Sequence, residues 1–160
     1  MCEGGGVRLS RETRYAIEAL VELARRPGRL VEARELAAAA GVPGPFLAKA
    51  LQALARAGVL TSVRGGGYRL ARPPERIRLP EIVAAVEGRR PFSQECIFWR
   101  TDCSEQAPCI LHWQWREVRP VLERRMEATT LRDIVAHVGE GSWLRRASGA
   151  EGKAERAPGS

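Results

Sequence analysis

The residues with the most reactive chemistry fall in one short stretch, Cys96-x6-Cys103-x5-Cys109-x2-His112. A further cysteine, Cys2, stands apart in a Gly-rich start and is set aside. Thiols and an imidazole gathered in a polar loop (Arg100, Thr101, Asp102, Ser104, Glu105, Gln106) are ligand types for a metal. Structural free cysteines are more often dispersed on apolar faces. The odd number of cysteines in the stretch argues against a disulfide framework. Structural zinc usually takes two close C-x2–4-C knuckles, and the intervals here are wider. An iron–sulfur cluster is larger than one ion, and a long loop can wrap it with thiolates, a His replacing one Cys. Spacing alone leaves iron–sulfur as the leading reading, with zinc and bare redox thiols open behind it. Cys109 and His112 are three apart, so a helix starting at Pro108 would put both on one face. His112 beside Trp113 and Trp115 could be mere packing, but its spacing from Cys109 makes it a ligand candidate.

Those residues need elements to hold them. Ser10 is a fair N-cap for a helix in which Ile17, Leu20, Val21 and Ala24 recur at helical spacing. Arg26-Pro27-Gly28 stops it. A second short helix runs from about Glu32 to Ala40 and ends at Gly41, a residue suited to a left-handed cap. Pro43-Gly44-Pro45 opens a third, lined on one face by Phe46, Leu47, Leu51, Leu54 and Ala55, and Gly58 ends it. Ala37 and Gly41, four apart, allow the close crossing and tight turn of a helix-turn-helix.

Val59 to Arg64 reads as a strand, Gly65-Gly66-Gly67 as a turn, and Tyr68 to Ala71 as a returning strand. A basic hairpin behind a helix-turn-helix is a wing. Its glycines would bring Arg64 and Arg69 close to phosphates. Leu79 to Glu87 form a short helix ended by Gly88. A long helix from Ile110 to about Glu127 carries the stripe Leu111, Trp115, Val118, Leu122, Met126, suited to a partner helix, with Pro120 expected to kink it. Thr130-x-x-Asp133 resembles a cap for a last helix, Leu131 to Val138.

Charge divides the chain in the same way. Of the net +7 over 160 residues, residues 1–90 carry 16 basic and 9 acidic side chains, 16 − 9 = +7, and residues 91–160 carry ten of each. A basic module that meets a polyanion is thus joined to a neutral module with another task. No apolar run approaches a membrane span, and the start lacks a signal-peptide pattern, so the expectation is a cytoplasmic protein. Neither His has a Ser or acidic partner in a recognisable constellation, and no Gly-rich phosphate loop precedes a helix, which argues against an enzyme.

Together these residues resemble the Rrf-two family of bacterial transcription regulators, which includes the iron–sulfur cluster regulator IscR and the nitric-oxide sensor NsrR. The resemblance covers residues 8–138. It rests on Arg8-Leu9-Ser10 with Arg14-Tyr15-Ala16, on Leu36-Ala37-x3-Gly41-Val42, and on Val63-Arg64-Gly65 with Gly66-Gly67-Tyr68-Arg69-Leu70-Ala71. It continues through Glu81-Ile82-Val83-x2-Val86-Glu87-Gly88, the cysteine loop and Thr129-Thr130-Leu131. It implies a homodimer on a double-stranded DNA operator, with Cys96, Cys103 and Cys109 as cluster ligands and His112 as the fourth. The nitric-oxide sensor takes its fourth ligand from an Asp early in the first helix. Arg14 stands there in this chain, which favours 2Fe-2S with His112 over 4Fe-4S.

Three departures from the family pattern bear on the site. The first cysteine interval is one residue longer than the commonest, the wing turn is two residues shorter, and Pro43-Gly44-Pro45 replaces a polar start of the reading helix. The expected DNA contacts are then Lys49, Gln52, Arg56, Arg64 and Arg69.

The expectation is a mainly α (α+β) chain. A winged helix-turn-helix domain spans 8–90, a cluster-binding loop 91–109, dimerisation helices 110–138 and a disordered tail 139–160. The function is DNA binding switched by a cluster that senses iron, redox state or nitric oxide. The alternatives are a thiol/disulfide or zinc-dependent regulator using the same cysteines and, from another class, an iron–sulfur carrier.

Overall fold

Ser10 starts the first helix as the sequence requires: its hydroxyl accepts the Thr13 N–H at 3.1 Å, relieving one of the orphan donors of the opening turn. The computed structural model describes residues 8–93, 96–98 and 100–138. Cys2, the Gly-rich start and the tail 139–160 lie outside the described residues. The helices are α1 (Arg11–Ala24), α2 (Ala33–Ala40), α3 (Gly44–Arg56), α4 (Leu79–Glu87), α5 (His112–Ala128) and α6 (Leu131–Val138). Strands β1 (Leu60–Val63) and β2 (Gly67–Leu70) form an antiparallel hairpin with Leu60 opposite Leu70 and Val63 opposite Gly67. A single 3-10 turn, Pro74–Arg76, follows the hairpin where the sequence shows only a break.

Helix α1 is the hub. It packs against α2, α3, α4 and α6, so Ala16, Ala19, Leu20 and Leu23 have at most 1% of their surface exposed. Leu36 of α2, Leu47, Leu51 and Leu54 of α3 and Ile82 of α4 close on it and are completely buried. Burying each such side chain contributes roughly 1.5–3 kcal/mol, which makes this cluster the main source of stability. Gly41 ends α2 in the left-handed region at φ 67°, and the Val42 N–H returns to the Ala37 carbonyl at 3.0 Å. That turn sets α3 across α2, as the Ala37–Gly41 spacing predicts.

Four expectations change. Phe46 does not line the apolar face of α3: Leu47, Leu51 and Leu54 fill that side, and Phe46 is 53% exposed. The hairpin turn is Arg64-Gly65-Gly66, with Gly67 already in β2. Gly65 takes φ 71° and the Gly66 N–H bonds to the Val63 carbonyl at 2.9 Å, so the turn consumes that donor itself. Gly67 serves packing instead. Val31 bridges to Tyr68 through two 2.9 Å hydrogen bonds, and a Cβ on Gly67 would stand 2.3 Å from the Val31 carbonyl oxygen. Lastly, α6 parts from α5 and joins the core of the basic unit. Leu131 is fully buried there, and its N–H bonds to the Ile77 carbonyl at 2.8 Å. Thr130 and Asp133 cap α6 reciprocally, as their spacing predicts.

Candidate metal centre and nucleic-acid interface

Helix α4 ends at Gly88 in the left-handed region (φ 73°), which turns the chain away from the core and into the cysteine loop. Glu87, the last residue of α4, ties this exit to α1. Its Oε1 accepts the Ser10 N–H and the Thr13 hydroxyl, both at 2.8 Å. Beyond Pro91 the backbone is held at φ 55° on Phe92, an uncommon conformation for an aromatic residue. The ring of Phe92 meets Trp115 of α5 edge-on at 6.2 Å, which pins the loop entrance to that helix.

The loop brings all three cysteines together. The sulfurs of Cys96, Cys103 and Cys109 lie within 4.8 Å of one another, with Cys96 and Cys109 at 3.8 Å. Cys96 is 3% exposed, and Cys103 and Cys109 are half-buried. His112 adds an imidazole: its Nδ1 lies 3.2 Å from the Cys103 sulfur, while its buried Nε2 has no hydrogen-bond partner among the described residues.

Helix α5 begins at His112, not at Ile110 or Pro108, so Cys109 and His112 do not share a helix face. A single turn, closed by the His112 N–H on the Cys109 carbonyl at 3.1 Å, brings Cys109 back to the first residue of the helix. The reason is local: Leu111 sits at ψ 12° as N-cap, and the Pro-Cys pair before it stays irregular.

The surroundings tune the thiols unevenly. Burial raises the Cys96 thiol, but the backbone N–H groups of Arg100 and Phe98 and the neighbouring Cys103 and Cys109 hold it below the ordinary cysteine value. At Cys103 the Cys109 N–H pulls downward, yet burial and the two other sulfurs leave that thiol above the ordinary value. Three sulfurs within 4.8 Å of one another and one imidazole, with no carboxylate grouped with them among the described residues, make a soft donor set suited to zinc or an iron–sulfur group.

Lys49, Gln52 and Arg56 stand exposed on α3, Arg64 at the tip of the hairpin and Arg69 outward on β2. Among the described residues Lys49, Arg56, Arg64 and Arg69 make no ion pair, whereas Arg25, Arg26, Arg29 and Arg72 are matched to Glu22, Glu35 or Glu81. The third helix and the hairpin thus present unmatched cations to a polyanion, as do Arg11, Arg34 and Arg76 elsewhere in the basic half.

Of the expected dimer stripe, Trp115 is already buried within the chain at 5% exposure, and Leu122 and Met126 are half-buried. Leu111 and Val118 remain exposed, joined by Val121 and by Ile110 and Trp113 beside the cysteine loop. The helix is continuous through Pro120. Sequence reading missed Val121, Phe92 and Glu87. Only Val121 left a trace, as an apolar residue three beyond Val118.

Residues 9–137 match the model of the Rrf2 family, described as iron-dependent transcriptional regulators. The chain belongs to the Rrf2 family. Its relatives include a protein of Aquifex aeolicus assigned as an HTH-type transcriptional regulator, 36% identical over 76% of this chain and 87% of that one. Among solved structures, IscR of T. potens is similar with a TM-score of 0.63 and 27% identity, covering 91% of this chain and 93% of that one. CymR, the global cysteine regulator of B. subtilis, is similar with a TM-score of 0.67 and 25% identity over 81% and 96%. This Rrf2 chain is therefore a winged-helix transcriptional regulator that binds DNA, not an enzyme. Among the described residues no helix is long and apolar enough to cross a membrane.

Proposed function

We propose that this Rrf2 regulator binds operator DNA as a homodimer and that filling the Cys96–Cys103–Cys109–His112 site switches its affinity. The observation that carries the reading is the convergence of the three sulfurs within 4.8 Å with the imidazole nitrogen 3.2 Å from Cys103. An iron–sulfur cluster, 2Fe-2S, is the group proposed, held by those three cysteines and His112. When bound, it supplies a redox-active, chemically labile centre sensitive to iron, oxidants or nitric oxide.

The chain's own residues carry the rest. Lys49 and Gln52 reach base edges while Arg56, Arg64 and Arg69 neutralise phosphates. Leu111, Val118 and Val121 of α5 offer an apolar strip to a second copy, which would set two reading heads about one helical turn of DNA apart. The loop 88–111 starts at Glu87, which anchors the α1 N-terminus, and ends on α5. Its geometry is thus coupled at one end to the reading unit and at the other to the dimer strip. A differential contact of a few kcal/mol between the two loop states is enough to switch occupancy.

One observation favours a second reading at the same residues. Zinc bound to thiolates at about 2.3 Å spaces them about 3.8 Å apart in a tetrahedron, so a 4.8 Å span suits a single ion in a Cys3His set. Anaerobic purification with iron, sulfide and zinc analysis separates the two. Iron with equimolar sulfide and visible absorption supports the cluster; stoichiometric zinc without iron supports the second reading. A metal-free chain that still switches with oxidant would leave thiol chemistry.

A further inference from the structure

The start of α3 has no polar side chain to offer a base. The side chains of Pro43, Gly44 and Pro45 carry neither donor nor acceptor, and Pro45 is exposed. Phe46 follows with 53% of its surface open, and Ala48 is half-buried beside Lys49. Helical side chains lean toward the N-terminus, so these groups project toward the leading end of the helix. The Phe46 ring is held there: Tyr15 of α1 lies 6.3 Å away, tilted by 47°, and the Arg14 guanidinium stacks over Tyr15 at 5.3 Å. A large apolar ring thus stands uncovered on the helix that also presents the unmatched Lys49 and Arg56, in the half of the chain that carries the entire +7.

A polyanionic duplex is the occupant that the charge selects. In its major groove the apolar group on a base edge is the C5 methyl of thymine, and Phe and Ala are among the side chains that contact it. The N-terminal residues of a recognition helix are the ones that meet base edges. We propose that the first turn of α3, Phe46 with Pro45 and Ala48, recognises thymine in each operator half-site through its C5 methyl. Lys49 and Gln52, further along, take the hydrogen-bonding positions, guanine and adenine respectively. This rests on the reading of α3 as the groove helix. It goes beyond that reading by assigning the base and the chemical group recognised where side-chain hydrogen bonding is absent.

The test uses the full-length protein and the duplex it selects from a random pool. Each thymine of the half-site is replaced in turn by deoxyuridine, which removes only the methyl, and the dissociation constant is measured. Burying one methyl group corresponds to about a fourfold change in affinity. The expected result is a loss of about fourfold at one or two thymines per half-site. That loss persists in Phe46→Leu, which keeps a large apolar side chain, and shrinks in Phe46→Ala, which leaves only small apolar groups beside Pro45 and Ala48. Because Phe46 is outside the core, both variants should melt close to the parent. Tight, selective binding that tolerates uracil everywhere would overturn the proposal, as would a uracil penalty unchanged in Phe46→Ala. Unaltered base preference in a Lys49→Ala, Gln52→Ala double variant would overturn the groove-helix reading itself and this inference with it.

Discussion

The imidazole Nδ1 of His112 lies 3.2 Å from the sulfur of Cys103, although nine positions separate the two in the chain. That contact joins the cysteine loop to the first residue of α5, so a ligand held by both would fix the loop against the helix. Replacing His112 by Ala is expected to lower metal content after anaerobic purification. His112→Cys is expected to retain metal with a shifted visible spectrum. Equal metal content and identical spectra in parent and His112→Ala would remove His112 from the ligand set.

The hairpin depends on one glycine more than on its neighbours. Gly67 sits at φ 98° with the Val31 carbonyl 2.3 Å from where a Cβ would be; Gly65 at φ 71° faces open space. Gly65→Ala should cost about 1–2 kcal/mol from backbone strain alone. Gly67→Ala adds a steric conflict with backbone that cannot swing aside, and should cost clearly more. Urea denaturation of both variants reads the order, and equal losses would contradict the Val31–Gly67 contact.

Glu87 accepts two hydrogen bonds that fasten the start of α1 to the end of α4, the point where the loop departs. Glu87→Ala should cost roughly 1–3 kcal/mol, because charged acceptors make the stronger hydrogen bonds. A double-mutant cycle with Thr13→Val should show coupling between the two side chains. Additive losses in that cycle would break the proposed link between the loop and the reading unit.

The α6 cap has a pH signature. Asp133 accepts the Thr130 N–H and hydroxyl, both at 2.8 Å, and these hydrogen bonds hold its carboxyl below the ordinary value. A folded-state pKa below the unfolded one means that its contribution is complete above the unfolded value, about 4, and is lost as pH falls through the folded value. Asp133→Asn should therefore flatten the acid limb of a stability–pH curve while leaving its shape near neutral pH. An unchanged acid limb would contradict the cap.

Each unmatched cation of the hairpin should contribute to salt dependence. Arg64→Ala and Arg69→Ala are expected to weaken binding to all sequences alike, each reducing the slope of log K against log salt by about one. Lys49→Ala should change base preference as well as affinity. A slope that neither arginine moves would place the hairpin away from DNA.

Much of this was legible in the residues. Ser10, Gly41, Gly88 and the Thr130–Asp133 pair mark helix ends through local chemistry, and the structure places those ends within a residue or two. The closeness of Cys96, Cys103 and Cys109 followed from side-chain type and clustering. What stayed hidden depends on distant partners. Phe46 reads as core because its helical position borders the apolar face, but Leu47 and Leu51 already fill the space against α1. Trp115 reads as interface, yet Phe92 reaches it from the loop. No local pattern reveals that Val31 pairs with Tyr68 or that α6 returns to α1, since both arise from tertiary closure of the chain.

The central claim is that filling the thiol site changes how the protein binds DNA. Its most direct test is titration of one selected operator duplex with protein purified anaerobically, then with the same protein stripped of metal under reducing conditions. Iron and sulfide are quantified on both samples. The account predicts iron and sulfide in the first sample, none in the second, and at least a tenfold difference in operator affinity between them that Cys103→Ala abolishes. Equal affinity of the loaded and stripped forms, with the reading unit intact, would contradict it.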